Sequence, residues 1–214
     1  MPIWLAPPAI KSITRHAGAA SLRVLDVGCG FGSARTFKQY LPDCEYHGLD
    51  RTEEYLYPED KGCMYRFYQA NLEEDSLDTV PDGYFDAIVL SHVIEHLING
   101  EKCLQKLALK LKPGGIIYIE YPGVRSLNVP HARSGFLHFH DDPTHVRVYS
   151  VAEVSNIMLR AGCDIIRGGT RRDGLRLLLT PILALRGLIK YRHIWSGRLW
   201  DVFGIAEVVV ARRR

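Results

Sequence analysis

The sequence predicts an α/β fold in which short apolar strands alternate with helices around a mostly parallel sheet. A strand-like run at 24–27 breaks into a glycine-rich turn, and a helix-compatible segment follows at 33–40. Two further runs, at 84–90 and 116–120, have the continuous hydrophobicity of strands buried on both faces of a parallel sheet. An amphipathic helix is predicted between them, at 101–110. We expect a single domain, because 214 residues suffice for one full core.

The turn at 28–32 has glycines at alternate positions and an acid two residues before the first of them. Gly28, Gly30 and Gly32 lack a Cβ, so the backbone can adopt positive φ and approach a ligand closely. A dinucleotide-binding turn spaces its glycines differently, as G-x-G-x-x-G. Asp26 would repel a pyrophosphate but attract an ammonium or a sulfonium. The turn therefore favours a cationic ligand, and an oxidoreductase is the least favoured function.

The stretch at 26–32 resembles motif I of the class I S-adenosylmethionine-dependent methyltransferases, whose D-x-G-x-G-x-G turn lies under the methionine part of the cofactor. Residues 85–89 together with 93–97 are similar to a second signature of this family, and L-K-P-G-G at 111–115 is similar to a third. The resemblance covers nearly all of 22–121. It implies a Rossmann-like sheet of seven strands with helices on both faces and the last strand antiparallel. It also implies S-adenosyl-L-methionine as the cofactor.

The resemblance assigns residues to the cofactor site. Asp50 matches the family acid that binds the ribose hydroxyls, and a helix N-cap is the alternative role. Asn71 stands where the family usually has an Asp beside the adenine. Ser91 and His92 follow the fourth strand, whose carboxyl end should face the ligand cleft. The predicted cofactor-binding set is Asp26, Gly28, Cys29, Gly30, Gly32, Asp50, Arg51, Asn71, Leu72, Ser91 and His92.

The remaining elements are predicted from local patterns. Residues 1–20 should form an N-terminal arm or helix that covers one edge of the sheet. L-K-P-G-G should stop a helix and form a turn before the fifth strand. Ser150 and Glu153 have the spacing of a capping box at the start of a helix. The other strands are predicted at 44–50, 66–71, 164–167 and 206–211.

The irregular segment at 122–149 is predicted to be the acceptor-site loop, and it has the densest group of titratable residues. These are His131, His138, His140, Asp141, Asp142, His145 and Arg147. The stretch at 141–147 resembles a D-P-T-H-V-R/K segment of some methyltransferases of this class, several of them associated with glycan assembly. Methyl transfer to a hydroxyl requires removal of its proton, and histidine suits that role near neutral pH. We therefore interpret His145 or His140 as the catalytic base.

Two other interpretations of this loop stay open. His138 and His140 would face the same way on an extended chain, and with Asp141 or Asp142 they could bind a divalent ion that holds a diol. The spacing forces no ligand set, so no metal is predicted. Alternatively, the polar side chains of the loop only cap one another and Arg147 pairs with an acid. His96, on the same helical face as His92, is interpreted as structural.

Bulk composition limits the partners and the compartment. The formal net charge of +3 falls short of a nucleic-acid-binding footprint, so no nucleic acid partner is expected. The five cysteines are odd in number and never spaced C-x-x-C, which indicates reduced thiols rather than disulfides or zinc ligands. Residues 1–18 lack signal-peptide features and no stretch reaches transmembrane length, so we expect a cytoplasmic protein.

The segment at 171–200 is basic and apolar, and Pro181 and Gly187 interrupt it. We predict that it caps the domain, with two interpretations open. It could dock a lipid-linked or phosphorylated acceptor or rest on an anionic membrane surface. Alternatively, it forms a homodimer interface or a helical lid.

The sequence therefore predicts an S-adenosylmethionine-dependent methyltransferase that acts on a hydroxyl of a small molecule or a glycan. A nitrogen acceptor would need less proton removal and is one alternative. A nucleic-acid methyltransferase and a cofactor-binding module without catalysis are the others. The identity of the acceptor does not follow from these patterns.

Overall fold

The computed structural model describes residues 1–18, 21–132, 135–192, 197 and 199–214. They contain a seven-stranded sheet in the order β3-β2-β1-β4-β5-β7-β6. The strands are β1 (Arg23–Val27), β2 (Glu45–Asp50), β3 (Arg66–Gln69), β4 (Phe85–Ser91), β5 (Leu111–Pro122), β6 (Cys163–Thr170) and β7 (Ala206–Arg213). Strands β1 to β5 pair in parallel, whereas β7 is antiparallel to both β5 and β6. The predicted fold class is confirmed, including the antiparallel last strand.

Helices cover both faces of this sheet. The described α-helices are α1 (Pro8–Ala17), α2 (Ser33–Tyr40), α3 (Pro58–Lys61), α4 (Gly100–Lys110), α5 (Val151–Arg160), α6 (Gly174–Tyr191) and α7 (Trp200–Phe203). Successive strand residues point to opposite faces, so Val24 lies in one core and Leu25 in the other. Helices α1 and α2 contribute to the core around Val24, and α4 and α5 contribute to the core around Leu25.

The N-terminal helix lies on a face of the sheet, and the prediction that residues 1–20 cover an edge is wrong. Helix α1 packs on β4 and β5, near the middle of the sheet. Ile10 and Ile13 are fully buried there, because the apolar stripe of the helix faces the central strands. Residues 19 and 20 of the predicted arm lie outside the described residues.

Two local predictions are corrected. The L-K-P-G-G stretch belongs to β5 rather than to a separate turn, because Leu111 already pairs with Phe85, and the extra β5 residues bulge before Ile116 pairs with Ala87. The capping box of α5 is half formed. The Ser150 hydroxyl accepts a hydrogen bond from the Glu153 N–H at 3.2 Å, but the Glu153 carboxylate binds Arg147.

The strand order creates a switch point between β1 and β4. From β1 the chain proceeds to β2 and β3 on one side, and then crosses to β4 and β5 on the other. Ligands in open α/β sheets bind beyond the carboxyl ends of the strands at such a point. Among the described helices, none combines the length and hydrophobicity needed to cross a bilayer.

Candidate active site

The glycine turn after β1 has the conformation that its sequence predicts. Gly28, Gly30 and Gly32 have φ values of 67°, 48° and 80°, which L side chains rarely adopt. The Gly28 N–H donates to the Leu49 carbonyl oxygen at 2.8 Å, which ties the turn to β2. A Cβ on Gly28 would lie 2.4 Å from Val93 Cγ2, so this position also lacks room for a side chain.

Two carboxylates hold the turn by accepting its backbone N–H groups. Asp50 Oδ2 accepts from Gly30 at 3.0 Å, and its Oδ1 accepts from the N–H of Arg51 at 2.7 Å. Asp60 Oδ2 accepts from Gly32 at 2.9 Å, and its Oδ1 accepts from Arg35 Nε at 2.9 Å. Burial alone would raise the pKa of Asp60, but the bonds from Gly32 and Arg35 outweigh it and lower the pKa. Asp60 cannot be recognised from the sequence as part of this turn, because nothing in its local pattern shows that α3 returns to the turn.

A cavity of about 940 Å³, here called the first cavity, opens beside the turn. Its lining includes Asp26, Gly28, Phe31, Gly32, Ser33, Arg35, Tyr57, Val89 and Ser91. The Asp26 carboxylate accepts hydrogen bonds from the hydroxyls of Ser33 and Tyr46 through Oδ2. Burial raises the pKa of Asp26 to about 6, although these two bonds oppose the shift. A bound cation would favour the ionised form and lower this pKa.

The other predicted cofactor residues take different positions. Ser91 lines the first cavity. The Cys29 side chain is buried in the core against Gly48, which leaves only its backbone for a ligand. Asn71 Oδ1 accepts from the Glu73 N–H at 3.1 Å and so caps its own loop. Leu72 is partly buried against the core, and Arg51 is exposed.

A second cavity of about 210 Å³ lies next to the first. Its lining includes His92, Glu95, His96, Pro122, Phe136, Leu137, His138, Phe139, Asp142, His145 and Trp200. Ser91 lines the first cavity and the next residue, His92, lines the second. His92 has a φ of 57°, so the chain turns sharply where β4 ends. The ring of His92, which is predicted to bind the cofactor, thus lines the second cavity and not the first.

His92 lies between two buried carboxylates. Its Nδ1 is 3.3 Å from Glu95 Oε1 and its Nε2 is 3.3 Å from Glu120 Oε1. Burial would lower the pKa of His92, but the hydrogen bonds with Glu120 and Glu95 raise it to about 9. The ring is therefore an imidazolium near neutral pH. With both nitrogens bonded to carboxylates, His92 is a fixed cation rather than a base.

His145 has the geometry of a base. Its Nδ1 donates to the Phe139 carbonyl oxygen at 2.7 Å, so in the neutral ring Nε2 carries the lone pair. Nε2 lies 3.9 Å from Asp142 Oδ2 and 4.0 Å from Glu95 Oε1. Both carboxylates are therefore within ion-pair distance of Nε2. Glu95 Oε2 is buried without a hydrogen-bond partner among the described residues.

The other predicted base, His140, has a different environment from His145. Its side chain is exposed and does not line the second cavity. It lies in the short 3₁₀ turn Phe139–Asp141, where His138 Nδ1 accepts a hydrogen bond from the His140 N–H at 3.1 Å. His138 and His140 are thus engaged in local capping. Arg147 pairs with Glu153, as expected from the prediction that Arg147 pairs with an acid.

Among the residues that the structure describes, two groups of donor atoms are close enough to hold a metal ion. One consists of Glu95, His96 and His145, and the other consists of His131, His138 and Asp141; in each, the donors lie within 4.8 Å of one another. The rings of His138 and His140 lie 5.5 Å apart, but neither group contains His140. In the second group, Asp141 Oδ2 already accepts from three backbone N–H groups. His96 Nδ1 lies 2.9 Å from Thr144 Oγ1, which is a structural contact.

The two ends of the segment at 171–200 lie near the second cavity, Arg171 through a buried ion pair with Glu120 and Trp200 as part of the lining. Arg171 binds Asp201 through Nη1 at 3.0 Å, and its Nε lies 3.1 Å from Glu120 Oε1. The indole of Trp200 donates to the Phe136 carbonyl oxygen at 2.8 Å, and its ring lies 4.7 Å from that of His92. Sequence patterns do not indicate the contact between Trp200 and His92, because the two residues are far apart along the chain. Glu95, in contrast, belongs to the E-H signature at 93–97.

Comparison with known proteins identifies relatives of this chain. The family described as a methyltransferase domain matches residues 5–167. A ubiquinone biosynthesis O-methyltransferase from Paraburkholderia phymatum is 28% identical over 117 residues, which cover 53% of this chain and 50% of the relative. A tRNA N(3)-cytidine methyltransferase from Mus musculus is 24% identical over 193 residues, covering 75% of this chain and 49% of the relative. The chain thus spans about half the length of these curated relatives.

The fold is also similar to that of solved structures. A SAM-dependent methyltransferase from Archaeoglobus fulgidus superposes with a TM-score of 0.62 at 21% identity. The superposition covers 95% of this chain and 91% of the other. At this identity, the likeness shows the fold alone.

Proposed function

Because the chain belongs to the methyltransferase-domain family and has a class I, S-adenosylmethionine-dependent methyltransferase domain, we propose that it transfers the cofactor's methyl group to a hydroxyl of a small molecule or a glycan. The observation that carries this proposal is the sharing of one strand end by two cavities. Ser91 lines the first cavity and His92 lines the second. A cofactor in the first and an acceptor in the second would meet beyond β4, as an in-line displacement requires.

His145 is the base in this proposal. The acceptor hydroxyl would give its proton to Nε2. S-adenosylmethionine, held beside Asp26 and Gly28 in the first cavity, would supply the methyl group for the hydroxyl oxygen, with S-adenosylhomocysteine as the leaving product. The Phe139 carbonyl oxygen holds His145 in the tautomer that can accept this proton. Glu95 and Asp142 would then lie within ion-pair distance of the imidazolium.

The second cavity suits a small acceptor group. Its volume of about 210 Å³ is below the ~300 Å³ at which pockets for drug-sized ligands begin. The apolar side chains of Phe136, Leu137, Phe139 and Trp200 line it together with the charged and polar side chains. A ring bearing a hydroxyl, or the end of a larger acceptor, suits both kinds of lining. The O-methyltransferase relatives support an oxygen acceptor, and the tRNA methyltransferase relative makes a nucleic acid the second candidate.

The test compares His145→Ala with His140→Ala, using methyl-labelled S-adenosylmethionine and a panel of phenols, catechols, monosaccharides and tRNA. We expect His145→Ala to lower kcat by about 10²- to 10⁴-fold, the usual contribution of a general base, with cofactor affinity unchanged. His140→Ala serves as the matched control and should retain full activity, because its exposed ring lies outside the second cavity.

Three outcomes would contradict parts of this proposal. Unchanged kcat in His145→Ala would favour a nitrogen acceptor. Labelling of tRNA alone, with a steep loss of binding as salt increases, would favour a nucleic-acid acceptor. A chelator could abolish activity and a divalent ion restore it in the unmodified chain, with no such restoration in His145→Ala. That result would make Glu95, His96 and His145 metal ligands instead.

A further inference from the structure

Helix α6 exposes its apolar residues to solvent. Leu178, Ile182, Leu185 and Ile189 are 73%, 65%, 58% and 74% exposed. At about 100° per residue, their spacing of four, three and four places them within roughly 60° of one another on the helix. They form a single stripe along three turns, here called the α6 stripe.

The protein-facing side of α6 lies opposite this stripe. Thr180 and Gly187 are buried, and both lie on the opposite side of the helix. Helix α6 packs against the short helix α7. The α6 stripe therefore faces outward, because the helix packs on the protein through its opposite side.

The charge on this helix has a single sign. Arg172, Arg176, Arg186, Lys190 and Arg192 are all exposed. The sequence from 174 to 192 has no Asp or Glu. An apolar stripe with a basic rim complements an interface between acyl chains and anionic headgroups. A protein partner would need both an apolar groove and an acidic rim, whereas an anionic lipid surface supplies both features at once.

We propose that α6 docks on anionic membrane surfaces, with the α6 stripe in the interface and the basic residues at the headgroups. The helix lies on the bilayer and does not cross it, in agreement with the lack of a membrane-spanning helix among the described residues.

Docking would bring the second cavity close to the membrane. The N-cap of α6, Asp173, donates its backbone N–H to Asp201 Oδ1 at 2.8 Å. Next to Asp201, Trp200 lines the second cavity. Short, buried connections thus link the docking helix to the cavity wall. If the proposed function holds, the acceptor is an amphiphile whose hydroxyl-bearing headgroup enters from the interface, and this part of the inference rests on that function.

The test is flotation of the full chain with phosphatidylcholine vesicles that contain either no anionic lipid or about 30% phosphatidylglycerol. We expect flotation with the anionic vesicles alone, and release as salt increases. Ile182→Ser/Ile189→Ser should reduce the partition coefficient at least tenfold, because two aliphatic side chains that would insert into the membrane interface are lost. Arg186→Gln/Lys190→Gln, which changes two exposed basic residues on one flank of the α6 stripe, should reduce it roughly 25-fold, at the usual strength of two basic residues beside an anionic surface.

The matched control is Leu109→Ser/Leu159→Ser, which removes two exposed leucines on α4 and α5. It should float like the unmodified chain, and circular dichroism should show that all variants are folded. Equal binding to both vesicle types, or equal binding by the α6 variants and the control, would overturn the proposal. A dimer in light scattering that the Ile182→Ser/Ile189→Ser change dissociates, without vesicle binding, would make the stripe a homodimer interface. Vesicle binding without methyl transfer would leave docking intact while contradicting the proposed function.

Discussion

Asp26 shows at the scale of a single residue how one buried carboxylate can select a cation. Burial raises its pKa to about 6, so the group is near the middle of its titration just below neutral pH. Ser33 and Tyr46 occupy Oδ2, and the side chain lines the first cavity. An ammonium or sulfonium placed there would stabilise the ionised form, which is the physical reason for an acid at this point of the turn.

This coupling predicts a pH dependence of cofactor binding. A cation lowers the pKa of Asp26, so the bound state holds fewer protons than the free state and affinity must fall as pH falls through 6. We expect S-adenosylmethionine to bind about equally well at pH 7 and 8, and to weaken by up to tenfold per pH unit below 6. Calorimetric titration from pH 5 to 8 measures this. Asp26→Asn should bind weakly at every pH; the same affinity at pH 5 and 7 for the unmodified chain would refute the coupling.

At the scale of elements, buried charges connect β4, β5 and the segment at 171–200. His92 follows β4, Glu120 lies on β5, and Arg171 and Asp201 flank α6. Burial would raise the pKa of Glu120, but the hydrogen bond from His92 and the charge of Arg171 hold it below its ordinary value. Each charge therefore depends on a neighbour from another element, and removal of one member leaves a buried charge uncompensated.

The pKa of His92 predicts how this network responds to pH. The pKa is about 9 in the folded chain against 6.5 unfolded, so its stabilisation is complete below pH 6.5 and is lost as pH rises through 9. We expect the difference in unfolding free energy between the unmodified chain and His92→Gln to shrink by about 1–2 kcal/mol from pH 6 to pH 10, allowing for partial exposure of the ring. Urea titrations at several pH values measure it.

The control for this experiment is His140→Gln, whose ring is exposed and lies outside the second cavity. The change with pH should be larger for His92→Gln than for this control. If the His92→Gln difference is equally flat, His92 is not held as a cation by Glu95 and Glu120.

At the scale of the whole molecule, the first cavity joins elements that are distant in the chain. Its lining comes from α1, the glycine turn, α2, the loop before α3 and the end of β4. A ligand there would hold these elements together, and binding to the native state alone raises the unfolding temperature.

We therefore expect S-adenosylhomocysteine at 100 times its Kd to stabilise the protein by about 2.7 kcal/mol. For a domain of this size the change corresponds to an increase in Tm of roughly 5–10 °C. NAD at the same concentration should leave Tm unchanged, because the turn lacks the dinucleotide spacing. Differential scanning fluorimetry measures both. An increase in Tm with NAD and none with S-adenosylhomocysteine would assign the first cavity to a dinucleotide instead.

The sequence by itself determined the fold class, the glycine turn and the family. These depend on local information: apolar runs, the alternate glycines and the acid before them are contiguous in the chain. It also predicted that Ser91 and His92 face the cleft, because the ends of parallel strands share one edge of the sheet. His145 is predicted separately, from the chemistry of histidine and the D-P-T-H-V-R/K resemblance.

The tertiary structure alone decided how these residues divide between two cavities. Ser91 and His92 are adjacent in sequence, but the positive φ of His92 directs them to different cavities. His145 and His140 are similar in local pattern, and only the packing of 122–149 against the end of β4 puts His145 beside Glu95 and leaves His140 in solvent. Asp60 and Trp200 reach the site from other elements. Such contacts depend on how separate elements pack, a property that neither periodicity nor spacing records.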